Sequence, residues 1–224
     1  MDTPETPTKK YKIEIIKNMS SKFDIFIKVE VVGDSQVGKT SILKKLINEQ
    51  FNEEYKPTKG YEFNTYLIKV NDIIIKFQIW DMSGEENYRI SLLHLYRNAS
   101  FGILVYSVCS RESFNNLEKW IKQLRNKAPL AKIILLGNKI DLKDKREVSY
   151  KEGKEICDKY NLEYFMEVSA KNDLKGVNFM EIVAESLYKD IEKEDGNDVS
   201  YGIMNESIML TNSVKGKNRF KKCC

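Results

Sequence analysis

From residue 23 to residue 32 the chain reads FDIFIKVEVV, a run in which apolar side chains recur in near alternation before stopping at Gly33. That pattern predicts a strand. Thr40 to Glu49 then follows helical spacing. The segments YEFNTYLIKV and IIIKFQIW alternate on either side of Asn71-Asp72, which predicts an antiparallel hairpin closed by a tight turn. Beyond it, strand and helix take turns. FGILVY (101–106) precedes a helix whose apolar face is Phe114, Leu117, Ile121 and Leu124, and AKIILLG (131–137) and EYFMEV (163–168) read as short buried strands. A last helix carries Val177, Met180, Ala184, Leu187 and Ile191 at three-four spacing. Such alternation predicts an α/β fold: a six-stranded, mostly parallel sheet with one antiparallel edge strand and helices on both faces.

The ends of the chain lack this pattern. Residues 1–23 form a polar extension whose simplest reading is disorder, although YKIEIIK (11–17) alternates and suits an added edge strand or a partner contact. Residues 24–193 make one domain, and 194–224 a flexible tail. The formal charge of +4 comes from lysine far more than from the six arginines, so no arginine-rich stripe points to nucleic acid. Four cysteines, at 109, 157, 223 and 224, show no metal-ligand spacing. Cys109 and Cys157 read as small core residues. The longest apolar run, FGILVYSVC, is much shorter than the roughly 20 residues a membrane-spanning helix needs. No secretory leader opens the chain, which fits a reduced, cytosolic protein.

Candidate chemistry begins at the first strand's end. Gly33, Asp34, Ser35, Gln36, Val37, Gly38, Lys39 and Thr40 fit G-x-x-x-x-G-K-[ST], followed by Ser41, in the strand-to-helix setting that this pattern requires. Glycines let the backbone curl so that N–H groups face phosphate oxygens, Lys39 adds a charge, and Thr40 offers a hydroxyl to Mg²⁺. This is the signature of a P-loop NTPase fold. The base is indicated by GNKID (137–141), where Asp141 can accept from the N1–H and exocyclic amine of guanine, whereas adenine would leave its carboxylate unpaired. Asn138 and the stem of Lys139 brace that loop. In VSAK (168–171), Ser169, Ala170 and Lys171 follow a strand, with the Ala170 N–H placed to meet the guanine carbonyl. Between these motifs, Asp81 in WDMSGEE ends a strand and suits Mg²⁺, while Gly84 permits close approach to a terminal phosphate. Thr58 can complete the metal shell. Two loops that depend on a third phosphate relax without it, which makes an order–disorder switch.

Taken together, these motifs make the chain resemble a Rab-type small GTPase of the Ras superfamily across about residues 24–193 and again at the C-terminus. The blocks KGYEF, KFQIW, NYRISL and LYRNA carry the likeness to the Rab branch. The resemblance implies that Phe51 packs against the guanine edge, that Tyr55 lies over the phosphates, and that Phe63, Trp80 and Leu95 belong to an effector-facing surface. It implies GTP and GDP as ligands, Mg²⁺ as cofactor, and Lys39, Thr58 and Glu85 at the reacting end. The implied partners are an exchange factor, a GTPase-activating protein, a GDP-dissociation inhibitor, a prenylation escort and effectors, acting on a monomer. Geranylgeranyl groups on Cys223 and Cys224, preceded by Lys215, Lys217, Arg219, Lys221 and Lys222, would anchor it to the cytosolic face of an intracellular membrane.

Three positions depart from the family pattern. Glu85 stands where a water-orienting glutamine is usual; a carboxylate accepts from water but cannot donate, and it adds charge beside the γ-phosphate. Lys59 replaces an apolar residue after the switch threonine, and Gln36 a glycine or other small residue. The favoured reading is a GTP-hydrolysing switch of membrane traffic with slow unassisted turnover. A second reading is a binding scaffold that stays mostly GTP-loaded because Glu85 does not support hydrolysis. A third, an ATP-using P-loop enzyme, is weakened by NKID. His94 reads as a surface or packing histidine.

Overall fold

The computed structural model describes residues 11–17, 22–54, 56–85, 88, 91–172, 178–195 and 208–210. The strands are β1 (Ile13–Ile16), β2 (Ile25–Val32), β3 (Tyr61–Val70), β4 (Ile73–Met82), β5 (Phe101–Ser107), β6 (Lys132–Asn138), β7 (Tyr164–Glu167) and β8 (Ile208–Leu210). The helices are α1 (Lys39–Asn48), α2 (Arg111–Asn115), α3 (Leu117–Lys127), α4 (Tyr150–Lys159) and α5 (Phe179–Asp195). One sheet runs β1-β3-β4-β2-β5-β6-β7, with β8 paired to β2. Strands β4, β2, β5, β6 and β7 are parallel neighbours. Strand β3 is antiparallel to β4 across the Asn71-Asp72 turn, where Asn71 takes φ 52°.

The six strands expected from sequence are β2 to β7. Among the described residues the sheet has eight, because segments on both sides of these six contribute. A bare β3 edge would expose a row of unpaired N–H and C=O groups. Ile13–Ile16 cover part of it, antiparallel, with Ile13 opposite Val70 and Ile16 opposite Leu67. Disorder, the simplest reading of the leader, is therefore corrected for this segment, and the edge-strand alternative is what forms. Tyr11 extends the attachment: it is buried, its ring lies 4.9 Å from that of Tyr188 of α5 at a tilt of 56°, and it donates to Glu192 Oε2 at 2.7 Å. In the tail, Ile208–Leu210 pair with Ile25–Ile27 at the start of β2.

Alternation along the strands divides the core into two layers. On one face Ile27, Val29, Val31, Phe77 and Ile79 meet α1 and α5; on the other Val32, Leu104 and Leu135 meet α3 and α4. The helix expected through Phe114 and Leu124 is split at Asn116, which ends α2 and begins α3. Helix α4 starts at a capping box, Ser149 with Glu152. It lies so close to the sheet that a Cβ on Gly153 would fall 2.3 Å from the Phe165 ring. Cys157 is buried there, but Cys109 is partly exposed at the edge of a loop, correcting its placement in the core. His94 is exposed, its Nδ1 2.8 Å from the Ser91 carbonyl, and Val177 lies outside the described residues.

One position breaks the apolar pattern. Glu30 on β2 is fully buried on the α3 face, and among the described residues neither of its oxygens has a well-aligned hydrogen-bond donor. Lys28 Nζ lies 3.1 Å from Oε1, while it donates to the carbonyls of Leu95 and Arg97 and sits over the Trp80 ring. Burial pushes the Glu30 carboxyl up to about 8 despite the opposing pull of Lys28.

Candidate nucleotide site

The parallel strands deliver their loops to one end of the sheet. At Gly33 the backbone has φ 140°, and an added Cβ would lie 2.1 Å from the Val105 carbonyl oxygen of β5, so a side chain is sterically excluded. Gln36, with φ 63°, adopts the left-handed conformation at a cost of about 1–2 kcal/mol for a residue with a Cβ. This accounts for why a glycine suits that position. Helix α1 then begins at Lys39 with no side-chain cap and no acidic residue in its first turn. Its leading N–H groups and the positive end of its dipole are thus left for an anion.

Lys39 is buried, and its Nζ donates to the carbonyls of Gly33 at 2.9 Å and Asp34 at 2.8 Å. Burial lowers its pKa to about 8, with Asp81 and Asp34 pulling the other way. Thr40 Oγ1 lies 2.8 Å from Thr58 Oγ1 and donates to Asp81 Oδ2 at 2.5 Å, joining residues 18 and 41 positions apart. Asp81 is buried, and Oδ1 has no hydrogen-bond partner among the described residues. Burial raises its pKa to about 6, offset in part by Thr40 and Lys39. Two hydroxyls and an orphaned carboxylate oxygen make an all-oxygen donor set. This suits Mg²⁺, which takes few protein ligands and fills its shell with phosphate and water.

At the other end of the cleft, Asn138 is a buried cross-tie. Its Nδ2 donates to the Val37 carbonyl at 2.9 Å and its Oδ1 accepts from the Ala170 N–H at 3.1 Å. The Ala170 N–H, expected to meet a guanine carbonyl, is engaged by this side chain instead, because the amide completes its own hydrogen bonding across the two loops. Lys139 follows at φ 71°, and Ser169 Oγ donates to Asp141 Oδ1 at 2.6 Å. Lys171 pairs with Glu53 at 2.7 Å across the mouth.

These groups surround a cleft of about 380 Å³. Ser35, Gln36, Gly38, Lys39, Thr40, Ser41, Phe51, Thr58, Gly84, Glu85, Asn138, Lys139, Asp141, Ala170 and Lys171 all line it. Gly33, Asp34, Val37, Asp81 and Ser169 stand behind its wall, and Tyr55 lies outside the described residues, as do Cys223 and Cys224. The close approach at Gly84 is to protein: a Cβ there would lie 2.3 Å from Ser35 N and 2.4 Å from Asp34 C. Lys44, Asn52, Glu53, Glu54, Lys56, Pro57, Ser83 and Leu142 also line the cleft, and in the sequence only their adjacency to the motifs marks them. Beside the cleft, half-exposed Tyr61 and Phe63 pack on Trp80 with ring centroids 5.0 and 5.5 Å apart, next to a partly buried Leu95.

A glycine loop feeding an uncapped helix at the ends of parallel strands, with the NKID loop beside it, defines a P-loop protein of the GTPase fold. The model of the Ras family matches residues 28–189. The chain is 38% identical over 173 residues to "Ras-related protein Rab-11B" of Dictyostelium discoideum, covering 75% of this chain and 78% of the relative. It is 39% identical over 168 residues to "Ras-related protein Rab11B" of Nicotiana tabacum, covering 75% and 77%. With "Ras-related protein RABA1h" of Arabidopsis thaliana it shares 34% over 208 residues, covering 90% and 95%. The chain therefore belongs to the Ras family, as a Rab-type small GTPase.

Proposed function

We propose that this protein is a guanine-nucleotide switch of membrane traffic that binds GTP and GDP with Mg²⁺ and hydrolyses GTP to GDP and phosphate. The observation that carries this reading is one continuous cleft joining the phosphate loop to Asn138, Lys139 and Asp141. Asp141, oriented by Ser169, accepts from guanine, and Phe51 and the Lys139 stem flank the base. The first-turn N–H groups of α1 and Lys39 receive the phosphates, for which Lys39 turns from the Gly33 and Asp34 carbonyls. Thr40, Thr58 and Asp81 hold Mg²⁺, which neutralises developing phosphate charge when bound. The loops bearing Thr58 and Gly84 respond to the third phosphate, and Phe63, Trp80 and Leu95 present the result to effectors. Exchange factor, activating protein and GDP-dissociation inhibitor act on the same two loops. Lipids on Cys223 and Cys224, added with an escort, hold the monomer at a cytosolic membrane face. No helix among the described residues is long and apolar enough to cross a membrane.

Base choice is tested by Asp141→Asn, which shifts preference from guanine toward xanthine; unchanged GTP affinity would remove Asp141 from the base site. Glu85 favours a second reading of the output, because a carboxylate lines the cleft beside Gly84 where a donor amide is usual. On that reading the protein remains mostly GTP-loaded until a partner supplies the missing group. Single-turnover phosphate release separates the two: Glu85→Gln accelerates unassisted hydrolysis if the carboxylate is the impediment, and leaves it unchanged or slower if Glu85 is itself competent. For the anchor, replacing both terminal cysteines with serine moves the protein from membrane to soluble fractions.

A further inference from the structure

The side chain of Asp34 does not face the cleft, although its residue lies inside the phosphate loop. Its Oδ1 accepts from Trp120 Nε1 at 2.7 Å and its Oδ2 accepts from Asn116 Nδ2 at 2.7 Å. Both donors belong to α3: Asn116 is its N-cap residue, and Trp120, 1% exposed, is among the largest fully buried side chains. The backbone of the same residue faces the opposite way. Its carbonyl accepts from Lys39 Nζ, and its peptide is the surface against which Gly84 closes, with no room for a Cβ. One residue thus joins α3, the phosphate-contacting lysine and the loop that carries Glu85.

We infer that Asp34 is a positioning residue for the GTP reaction: its carboxylate, clamped by Trp120 and Asn116, fixes the Asp34–Ser35 peptide against which Gly84 and Glu85 are set. The inference rests on the proposed function. Charge-assisted hydrogen bonds from a buried indole and a partly buried amide are strong and directional, and α3 is rigidly packed through Leu117, Ile121 and Leu124, so the clamp has a firm base. GDP and GTP both use the phosphate loop, but only the γ-phosphate and its attacking water use the surface that Gly84 and Glu85 share with Asp34. Loosening the clamp therefore penalises hydrolysis more than GDP binding.

The test is a swap on the full chain, read by single-turnover hydrolysis at saturating GTP, by GDP affinity and by thermal unfolding. Asn116→Asp sets two carboxylates against each other, whereas Asp34→Asn removes the charge but can keep both contacts, its oxygen on Trp120 and its amide on a rotated Asn116. Asn116→Asp is expected to slow hydrolysis by about tenfold or more, with GDP affinity within about threefold of wild type, and Asp34→Asn by less. In the double variant the two groups have exchanged roles, the amide at 34 still accepts from Trp120, and the rate returns to within about threefold of wild type. Recovery by the double variant supports the inference, because general damage to the fold would add rather than cancel. An Asn116→Asp variant with the wild-type rate overturns it. So does an Asn116→Asp variant that loses GDP, GTP and thermal stability together and does not recover in the double variant, which would mark the clamp as structural only. A wild-type protein that binds no guanine nucleotide overturns the proposed function itself, a result read before any variant is made.

Discussion

Asp81 and Glu30 stand on neighbouring strands, one residue out of register, and point to opposite faces of the sheet. Both are buried, both have a lysine nearby, and burial raises both carboxyls, to about 6 and about 8. Each also carries an oxygen without a hydrogen-bond partner among the described residues. The difference is what lies beyond that oxygen. Asp81 stands behind the cleft wall, one hydrogen bond from Thr40, which with Thr58 lines the cleft, whereas Glu30 is enclosed by Trp80, Lys28 and the α3 layer. An orphaned carboxylate therefore points to a ligand only where it borders a space that can hold one. Sealed in, it is a stability cost.

Removing Asp81 would break the comparison most sharply. Asp81→Ala is expected to weaken GTP binding in magnesium by about tenfold or more, and to differ little from wild type in EDTA. Fluorescent-nucleotide titrations under both conditions check this, and an undiminished response to magnesium in the variant would place the ion elsewhere. Glu30 gives a smaller effect of opposite sign. Its carboxyl stays protonated in the fold up to about pH 8 but ionises in the unfolded chain above about 4.5. Between those values the unfolded chain binds fewer protons, so this residue's contribution makes the fold less stable as pH rises. Glu30→Gln, which cannot ionise, should melt about 5 °C or more above wild type at pH 8.5, with the gap shrinking toward pH 5. Parallel melting curves across that range would show that the carboxyl is not raised. The smallest effect belongs to Glu53, whose carboxylate pairs with Lys171 in open solvent. Lys171→Ala is expected to change the GDP release rate by no more than about twofold, and the change should fade in 1 M salt. A larger, salt-insensitive change would make the pair a latch over the base.

Much of the frame was legible because its signals are local. Alternation located the hairpin, and Asn71-Asp72 placed its turn; the spacing of Gly33, Gly38 and Lys39 located the phosphate loop. What escaped depends on partners far apart in sequence. Nothing near Asn138 announces that its amide ties Val37 to Ala170, over 101 and 32 residues. Nor does the phosphate-loop pattern tell that the Asp34 side chain turns toward Trp120, 86 residues on. Helix α4 was legible in principle, since Ser149 and Glu152 form a capping box, but its apolar face is narrow, with only Gly153 and Cys157 buried. The leader's strand was visible as alternation, whereas its need for a specific edge was not.

The attachment of Tyr11 has a consequence in time. Its strand rests on β3, and its ring rests on Tyr188, 177 residues later in the chain. During synthesis at about 5–20 residues per second, Tyr11 waits roughly 10–35 seconds after it is made for the helix that receives it. The β3 edge is made early in that interval and Tyr188 late. A segment made early thus has a docking site completed late, and its capture reports that α5 has been built.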